Sequence, residues 1–485
     1  MHRKTRPYLF YSTASGLCGQ CAQRVEAKII IKQQNVYMDK WCPQHGTERV
    51  LISTDADYYR RCREVFIKPP ELPQQFNTPM RYGCPWDCGL CPDHMQHSCL
   101  SIVEITDRCN LQCPVCYASS GPHAGKHKSL SEITAMLDAV VANEGEADVV
   151  QLSGGEPTIH PDFWAIIDAV RARPIKHLMI NTNGIVFAED KEFSERFAAL
   201  GPGVEVYLQF DSFRPQALKE LRGADLSRIR QQALDNLNRL NISTTLVMTI
   251  KKGLNDDEIG EIVEFASRQN CVRGVTLQPI QDAGRVEDYR QQQHRITLSE
   301  VRSKLAEQSS LFTLADVVPV PCNPDNLAMA YALKMPTGIT PLTGMIPPQI
   351  LIEGSANTIV FEQDEQFKQQ LFSVFSTNHS PQDQANCLAE LMCCLPNIQA
   401  PQLNYANVFR VLIVQFMDIH SMDIRALKKS CIHFATPNGQ LIPFETYNLF
   451  YRPGKQEELN ALRAGINRPD VIRWHEAVTR GGSQD

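Results

Sequence analysis

Three cysteines, Cys109, Cys113 and Cys116, are spaced C-x3-C-x2-C within ITDRCNLQCPVCYA. Three thiolates on one short loop can hold three irons of a cubane and leave the fourth without a protein ligand. A small molecule can then bind that iron, as required when a cluster hands an electron to a bound substrate. The blander readings are a zinc site or redox-inert cysteines. Further along, Gly154-Gly155-Glu156-Pro157 joins two residues that let backbone approach a ligand to a carboxylate that can accept hydrogen bonds from an ammonium group.

The same spacing recurs in Cys84-x3-Cys88-x2-Cys91, and a fourth thiol, Cys99, follows eight residues later. Four ligands close a cluster, so this group reads as an auxiliary [4Fe–4S] centre that relays electrons or binds substrate. A structural zinc is the alternative. His94 and His97 read as polar loop residues rather than ligands. Cys18-x2-Cys21 and Cys42-x2-His45 flank AKIIIKQQNVYMDKW, a β-hairpin pattern. Two such knuckles describe a zinc-ribbon or rubredoxin-like site for zinc or mononuclear iron. Cys62, Cys271, Cys387, Cys393 and Cys394 read as ordinary buried cysteines; Cys322 and Cys431 stand apart in later segments. Seventeen cysteines in a cytosolic chain favour metal ligation over disulfides.

These groups need elements to position them. Strand-like runs occur at 101–106, 148–152, 177–181, 204–210, 244–250 and 274–279. Helical spacing separates several of them, at 130–143 (Ser129 as N-cap, Glu132 completing a capping box), 190–200, 226–240 and 256–268. Alternating strands and helices argue for parallel βα units. The fold expected is α/β, a partial (β/α)6 TIM-like barrel, with chemistry on the loops that follow the strands. Cys109 follows the first strand and GGEP the second. The expected units are a ribbon at 1–60, a connector with the auxiliary cluster at 61–100, the barrel at 101–285 and a C-terminal substrate-side domain at 286–485.

Composition narrows the function classes. The 485 residues are 43% hydrophobic and 21% charged, with a net charge of −6 and no long basic run. That argues against a nucleic-acid partner. No apolar stretch reaches membrane-spanning length, and the N-terminus lacks an apolar signal region. The cytoplasm is the expected location, with contact to the membrane surface if the substrate is a lipid.

The cysteine triad followed by GGEP one βα unit later resembles the radical S-adenosylmethionine (SAM) superfamily over roughly residues 100–285. The resemblance implies that the amino and carboxylate groups of SAM chelate the open iron. Reductive cleavage then gives methionine and a 5′-deoxyadenosyl radical that abstracts hydrogen, with electrons from a donor such as flavodoxin or ferredoxin. It places Glu156 near the methionine amino group and Gly154 and Gly155 beside the cofactor. Val115 stands where an aromatic residue is usual, and Tyr117 follows the last cysteine instead, on the adenine side. Asp211 reads as a ribose partner, and Asn181 and Asn183 as lining the same mouth; an ordinary loop residue is the alternative for each of the three. Taken in order, the ribbon, GCPWDCGLCPDHMQHSC, ITDRCNLQCPVCYA and YNLFYRP are similar to the tetraether lipid synthase family, which includes proteins once labelled pterin methyltransferases. This implies several [4Fe–4S] clusters, one mononuclear metal and radical joining of the methyl ends of two lipid chains. The same resemblance implies cysteines near positions 326 and 445 that would help Cys322 and Cys431 hold a third cluster; this chain has Asn326 and Glu445 there. Three functions follow for test: C–H functionalisation of a lipid chain, marked by a long apolar tunnel; methylation of a pterin-like ring, marked by a compact polar pocket; and a non-catalytic iron–sulfur electron carrier, which GGEP argues against.

Overall fold

The computed structural model describes residues 5–335, 338–353 and 407–466. Cys387, Cys393 and Cys394 lie outside them. The chain opens with an antiparallel four-stranded sheet, β1 (Leu9–Leu17), β2 (Arg24–Lys32), β3 (Asn35–Cys42) and β4 (Gly46–Ser53). Gln33 and Gln34 turn the β2–β3 hairpin with φ of 52° and 66°, the left-handed pair that matches strand twist in a two-residue turn. Helix α1 (Ala56–Glu64) follows, with Asp55 accepting a hydrogen bond from the Tyr58 amide at its N-terminus. It packs Ala56 and Tyr59 onto the inward row Ile29, Ile31, Val36 and Met38.

The barrel is built from β5 (Leu100–Thr106), the two-residue β6 (Val115–Cys116), β7 (Ala147–Gly154), β8 (Ile175–Thr182), β9 (Val204–Gln209), β10 (Thr244–Ile250), β11 (Val272–Pro279) and the short β12 (Arg285–Val286). Its helices are α2 (Leu130–Glu144), α3 (Phe163–Arg171), α4 (Ile185–Glu189), α5 (Lys191–Ala198), α6 (Pro215–Arg222), α7 (Ser227–Leu240) and α8 (Ile259–Ser267). The six long strands lie side by side in chain order, all parallel. They coincide with the six strands expected from sequence to within about two residues at each end. The capping box expected at α2 forms as well, Ser129 and Glu132 each bonding the other's backbone. Ile133, Leu137 and Val140 of α2 pack with Val103, Val150 and Leu152 of the sheet in one continuous core.

The C-terminal part does not stand apart from this barrel. The remaining strands are β13 (Val318–Pro319), β14 (Leu327–Met335), β15 (Gly338–Pro341), β16 (Val408–Val414), β17 (Ile432–Ala435) and β18 (Leu441–Pro443). β16 pairs parallel with β11 and β17 pairs parallel with β5, so both open edges of the barrel sheet receive a late strand. The result is a single twelve-stranded sheet. No helix among the described residues is long and apolar enough to cross a membrane.

Candidate functional site

The loop carrying Cys109, Cys113 and Cys116 leaves β5 and lies against the end of β7. The two glycines of GGEP make this approach. A Cβ on Gly154, whose φ is +115°, would fall 2.1 Å from the Thr106 carbonyl oxygen, and one on Gly155 would fall 2.0 Å from that of Arg108. The Gly155 and Glu156 amides donate to those same carbonyls at 2.8 and 2.9 Å. The close approach is therefore to the backbone of the cysteine loop, where the sequence suggested only approach to a ligand.

All three cysteines line one cavity of about 950 Å³, together with Tyr117, Gly155 and Glu156. The Leu111 amide donates to Cys109 Sγ at 3.4 Å. Burial pushes the Cys109 thiol up to about 12 and raises that of Cys113 as well. A metal placed next to such thiols would supply the charge that ionises them. Arg285 fixes the loop from outside, donating to the carbonyls of Cys113 at 2.6 Å and Ser120 at 2.7 Å.

Glu156 is buried at the cavity wall. Oε1 accepts from the Thr158 amide and from both Thr158 and Thr182 hydroxyls, whereas Oε2 accepts from the Asn183 amide alone at 2.8 Å. A carboxylate offers about four acceptor positions, which leaves Oε2 room for another donor. Burial raises the Glu156 pKa, so a cation placed beside it is favoured. Asn183 lines the same cavity and bonds Asn110 of the cysteine loop at 2.7 Å. Asn181 donates to Ser153 at 3.0 Å and accepts from Gln209 at 2.7 Å.

Asp211 is placed differently from a ribose partner. It has no exposed surface, and its carboxylate is consumed by Arg222 (2.6 and 2.8 Å), Arg230 (2.6 Å) and the Thr249 amide (3.0 Å). Burial alone would raise its pKa, but the two guanidinium groups outweigh burial and hold it at about 2. Its work is to aim Arg222 and Arg230 at the cavity, which both line. Arg230 Nε and Nη1 are buried without a protein partner. Neither arginine stands out in the sequence, yet a signal was present: Arg230, Ala233, Leu234 and Leu237 share the buried face of α7.

Beneath this cavity lies a second, of about 760 Å³, inside the barrel. The two share Tyr117, Asn181, Gln209 and Gln278. Its walls are inward-facing residues two apart on each strand, such as Leu100 and Ile102, Val149 and Gln151, or His177 and Met179. At one side Glu205, fully buried, faces His177 Nε2 at 3.0 Å and Arg410 Nη2 at 3.2 Å. Burial opposes its ionisation, but Arg410 and His177 prevail and hold it well below the usual carboxylate range. Phe416 and Phe444 stack at the gap between β16 and β17.

In the ribbon, Cys18, Cys21, Cys42 and His45 converge within 4.8 Å of one another. His45 Nδ1 lies 3.5 Å from both Cys18 Sγ and Cys42 Sγ, and the Cys21 and Cys42 sulfurs are 3.9 Å apart. Metal–sulfur bonds of about 2.3 Å and a metal–nitrogen bond of about 2.0 Å put tetrahedral edges at about 3.8 and 3.5 Å. The four ligands thus already stand at the corners one ion requires.

The auxiliary group is split. Cys84, Cys88 and Cys91 remain together on a loop braced by Asp87, which accepts from the Arg81, Tyr82 and Gly83 amides. Tyr451 of the YNLFYRP segment accepts from the Cys88 amide at 2.8 Å, and Arg463 donates to the Trp86 carbonyl at 2.6 Å. Arg452 of the same segment pairs with Glu104 at 2.9 Å. Cys99 does not join this loop. It lies with Cys322 and Cys431, because pairing of β17 with β5 sets Leu100 opposite Ile432 and so brings the two preceding cysteines side by side. His94 is buried against Ser430 and His433 rather than at a thiolate (2.8 and 3.2 Å).

Residues 103–266 match the radical SAM superfamily, and residues 10–54 match the HMPTM N-terminal zinc ribbon domain. The chain carries a radical SAM domain behind an N-terminal zinc ribbon and is an enzyme, with iron–sulfur clusters and SAM as its cofactors. It is similar, at 27% identity over 97% of its own length and 98% of the relative's, to 7,8-dihydro-6-hydroxymethylpterin dimethyltransferase of Methanocaldococcus jannaschii. It is also 29% identical to the GTP 3',8-cyclase of Syntrophomonas wolfei, over 37% of this chain and 55% of that one. Among solved structures, Streptococcus suis SuiB bound to S-adenosylmethionine is 16% identical, with a TM-score of 0.33 over 38% of this chain and 41% of that one.

Proposed function

We propose that this enzyme functionalises a C–H bond of a small, flat, polar ring compound of the pterin class, by methyl transfer or a related radical reaction, in the barrel interior. The observation that carries this reading is the inner cavity with Gln151, Asn181, Gln209 and Gln278 on its walls. Side-chain amides offer a donor and an acceptor together, the pattern that ring nitrogens and ring carbonyls present along an edge. Tyr117 and Tyr207 supply flat apolar surfaces. The similarity to the pterin dimethyltransferase, which runs over nearly the whole of that protein, supports the same class.

In this reading Cys109, Cys113 and Cys116 hold the SAM-binding cluster, and Cys84, Cys88 and Cys91 an auxiliary one. Cluster and SAM together supply a carbon radical strong enough to take hydrogen from an unactivated carbon. The chain does the positioning. Glu156 Oε2 accepts from the methionine ammonium, and Arg222 and Arg230 offer their guanidinium groups to the methionine carboxylate. Asn183 ties the cysteine loop to the end of β8, and Tyr117 closes the boundary between the two cavities. Reducing equivalents come from a small redox protein of the flavodoxin or ferredoxin kind in the cytoplasm.

A second reading keeps the chemistry and changes the substrate to a lipid chain presented at a membrane surface, with carbon–carbon bond formation as in tetraether synthesis. It is favoured by the apolar side of the same cavity, where Ile102, Val149, Met179, Leu412 and Val414 face inward.

One experiment separates the two. Protein reconstituted without oxygen is given SAM and reductant, and 5′-deoxyadenosine is followed with a reduced pterin or with a lipid extract. We expect nucleoside from the wild type, none from Cys113→Ala, and stimulation by the pterin that falls roughly tenfold in Gln151→Leu or Gln278→Leu, the loss of about one buried hydrogen bond. Stimulation by lipid with none by pterin overturns the small-ring reading in favour of the second.

A further inference from the structure

Cys99, Cys322 and Cys431 come from three distant segments: immediately before β5, between β13 and β14, and immediately before β17. Their sulfurs nevertheless lie within 4.8 Å of one another, with those of Cys322 and Cys431 3.8 Å apart. All three are buried. The spacing is that of the ribbon, whose Cys21 and Cys42 sulfurs are 3.9 Å apart, and it equals the edge of about 3.8 Å that one tetrahedral ion imposes on two thiolates. Neither Cys109, Cys113 and Cys116 nor Cys84, Cys88 and Cys91 forms so tight a group. The contrast is chemical. Ligands of a single ion are corners of one polyhedron, whereas ligands of a cubane sit on separate irons and stand farther apart.

The surroundings give a second, independent indication. Gln96 Nε2 donates to Cys99 Sγ at 3.7 Å, and His97 Nε2 lies 3.7 Å from the same sulfur. His97 is held from behind, its Nδ1 2.7 Å from Glu144 Oε2. Polar N–H groups turned toward a cysteine sulfur and anchored by a carboxylate are the outer layer that orients a metal ligand. Cysteines that merely fill a core behave as small apolar side chains and need no such layer.

We propose that Cys99, Cys322 and Cys431 bind a single zinc-type metal ion, separate from both iron–sulfur clusters and from the ribbon. A four-cysteine cluster does not fit here. Among the described residues no fourth cysteine reaches these three, and positions 326 and 445 carry asparagine and glutamate. Three protein ligands hold such an ion with its fourth position left to one small ligand such as an enclosed water, a known zinc arrangement. The ion pins the cluster-bearing connector to the C-terminal strands that close the barrel.

The test is a metal and sulfide count on full-length protein purified without oxygen. Wild type is compared with Cys322→Ser and Cys431→Ser, and with Cys21→Ser in the ribbon as the one-ion reference. The proposal expects each variant to lose about one metal ion per chain, with acid-labile sulfide unchanged. Loss of about four irons together with four sulfides identifies a cluster and overturns it; unchanged metal content identifies packing cysteines and overturns it equally. Should the serine variants be insoluble, the wild-type count still decides. Two metal ions beyond eight irons matched by eight sulfides, the content of two clusters, support the site, and one refutes it.

Discussion

Replacing Gly155 by alanine tests whether the GGEP turn acts by setting the cysteine loop. The new Cβ would lie 2.0 Å from the Arg108 carbonyl oxygen, 2.4 Å from its carbon and 3.0 Å from the Cys109 nitrogen. The first contact must open to at least 3.0 Å, a separation of about 1 Å between β7 and the loop. All three close atoms are backbone, so no side-chain rotation relieves the overlap. An overpacked site of this kind costs about 1–3 kcal/mol of stability, and a reacting group displaced by about 1 Å loses about a hundredfold in rate. Gly155→Ala is therefore expected to retain the ribbon metal and a cooperative melt while forming 5′-deoxyadenosine about a hundredfold more slowly at full iron loading. Gly154→Ala adds the cost of a φ of +115° and should fall further. Wild-type rates in a fully loaded Gly155→Ala protein would refute the argument, since the loop would then owe its position to the cluster alone.

Asp211→Asn removes one charge from a buried pair with Arg222 and Arg230 and should cost about 3–5 kcal/mol in denaturant unfolding, because two guanidinium groups are left unpaired; an Asp211→Asn midpoint equal to wild type would contradict that. The ribbon is docked to the barrel through His420, which sits 2.9 Å from Glu48 of β4 and 3.6 Å from Asp282 after β11. Those two carboxylates raise its pKa to about 9. A raised pKa means that the stabilisation is complete below about 6.5 and fades as pH climbs through 9, with solvent screening keeping it modest. The melting temperature should drop by several degrees between pH 6.5 and 9.5, and His420→Gln should flatten that slope.

The barrel was legible because its signals are local. Each inner strand is a short apolar run, and each helix carries its own period and caps, as Ser129 and Glu132 do for α2. The ribbon ligands were legible for the same reason, since two knuckles and a hairpin lie within one short stretch. Cys99 was not. Its neighbours in sequence are Cys84, Cys88 and Cys91, but strand pairing delivers it to Cys322 and Cys431, and such a partner leaves no trace in spacing. Asp211 follows a strand near the right mouth, and only the positions of Arg222 and Arg230 reveal that its carboxylate is already taken. The apolar run of β16 marks a buried strand, but nothing in it tells which sheet edge it will join.

The late arrival of β16 and β17 at the two sheet edges has a consequence for how the enzyme is made. From Pro279, where the sixth barrel strand ends, to Ala435, where β17 ends, a ribosome adding about 5–20 residues each second needs roughly eight to thirty seconds. During that interval the nascent barrel keeps an unsealed seam, and the cysteine loops after β5 and before it have already emerged. Cofactor delivery thus has a natural window before the last strands zip shut. After that, Tyr451 and Arg463, made later still, brace the Cys84–Cys91 loop.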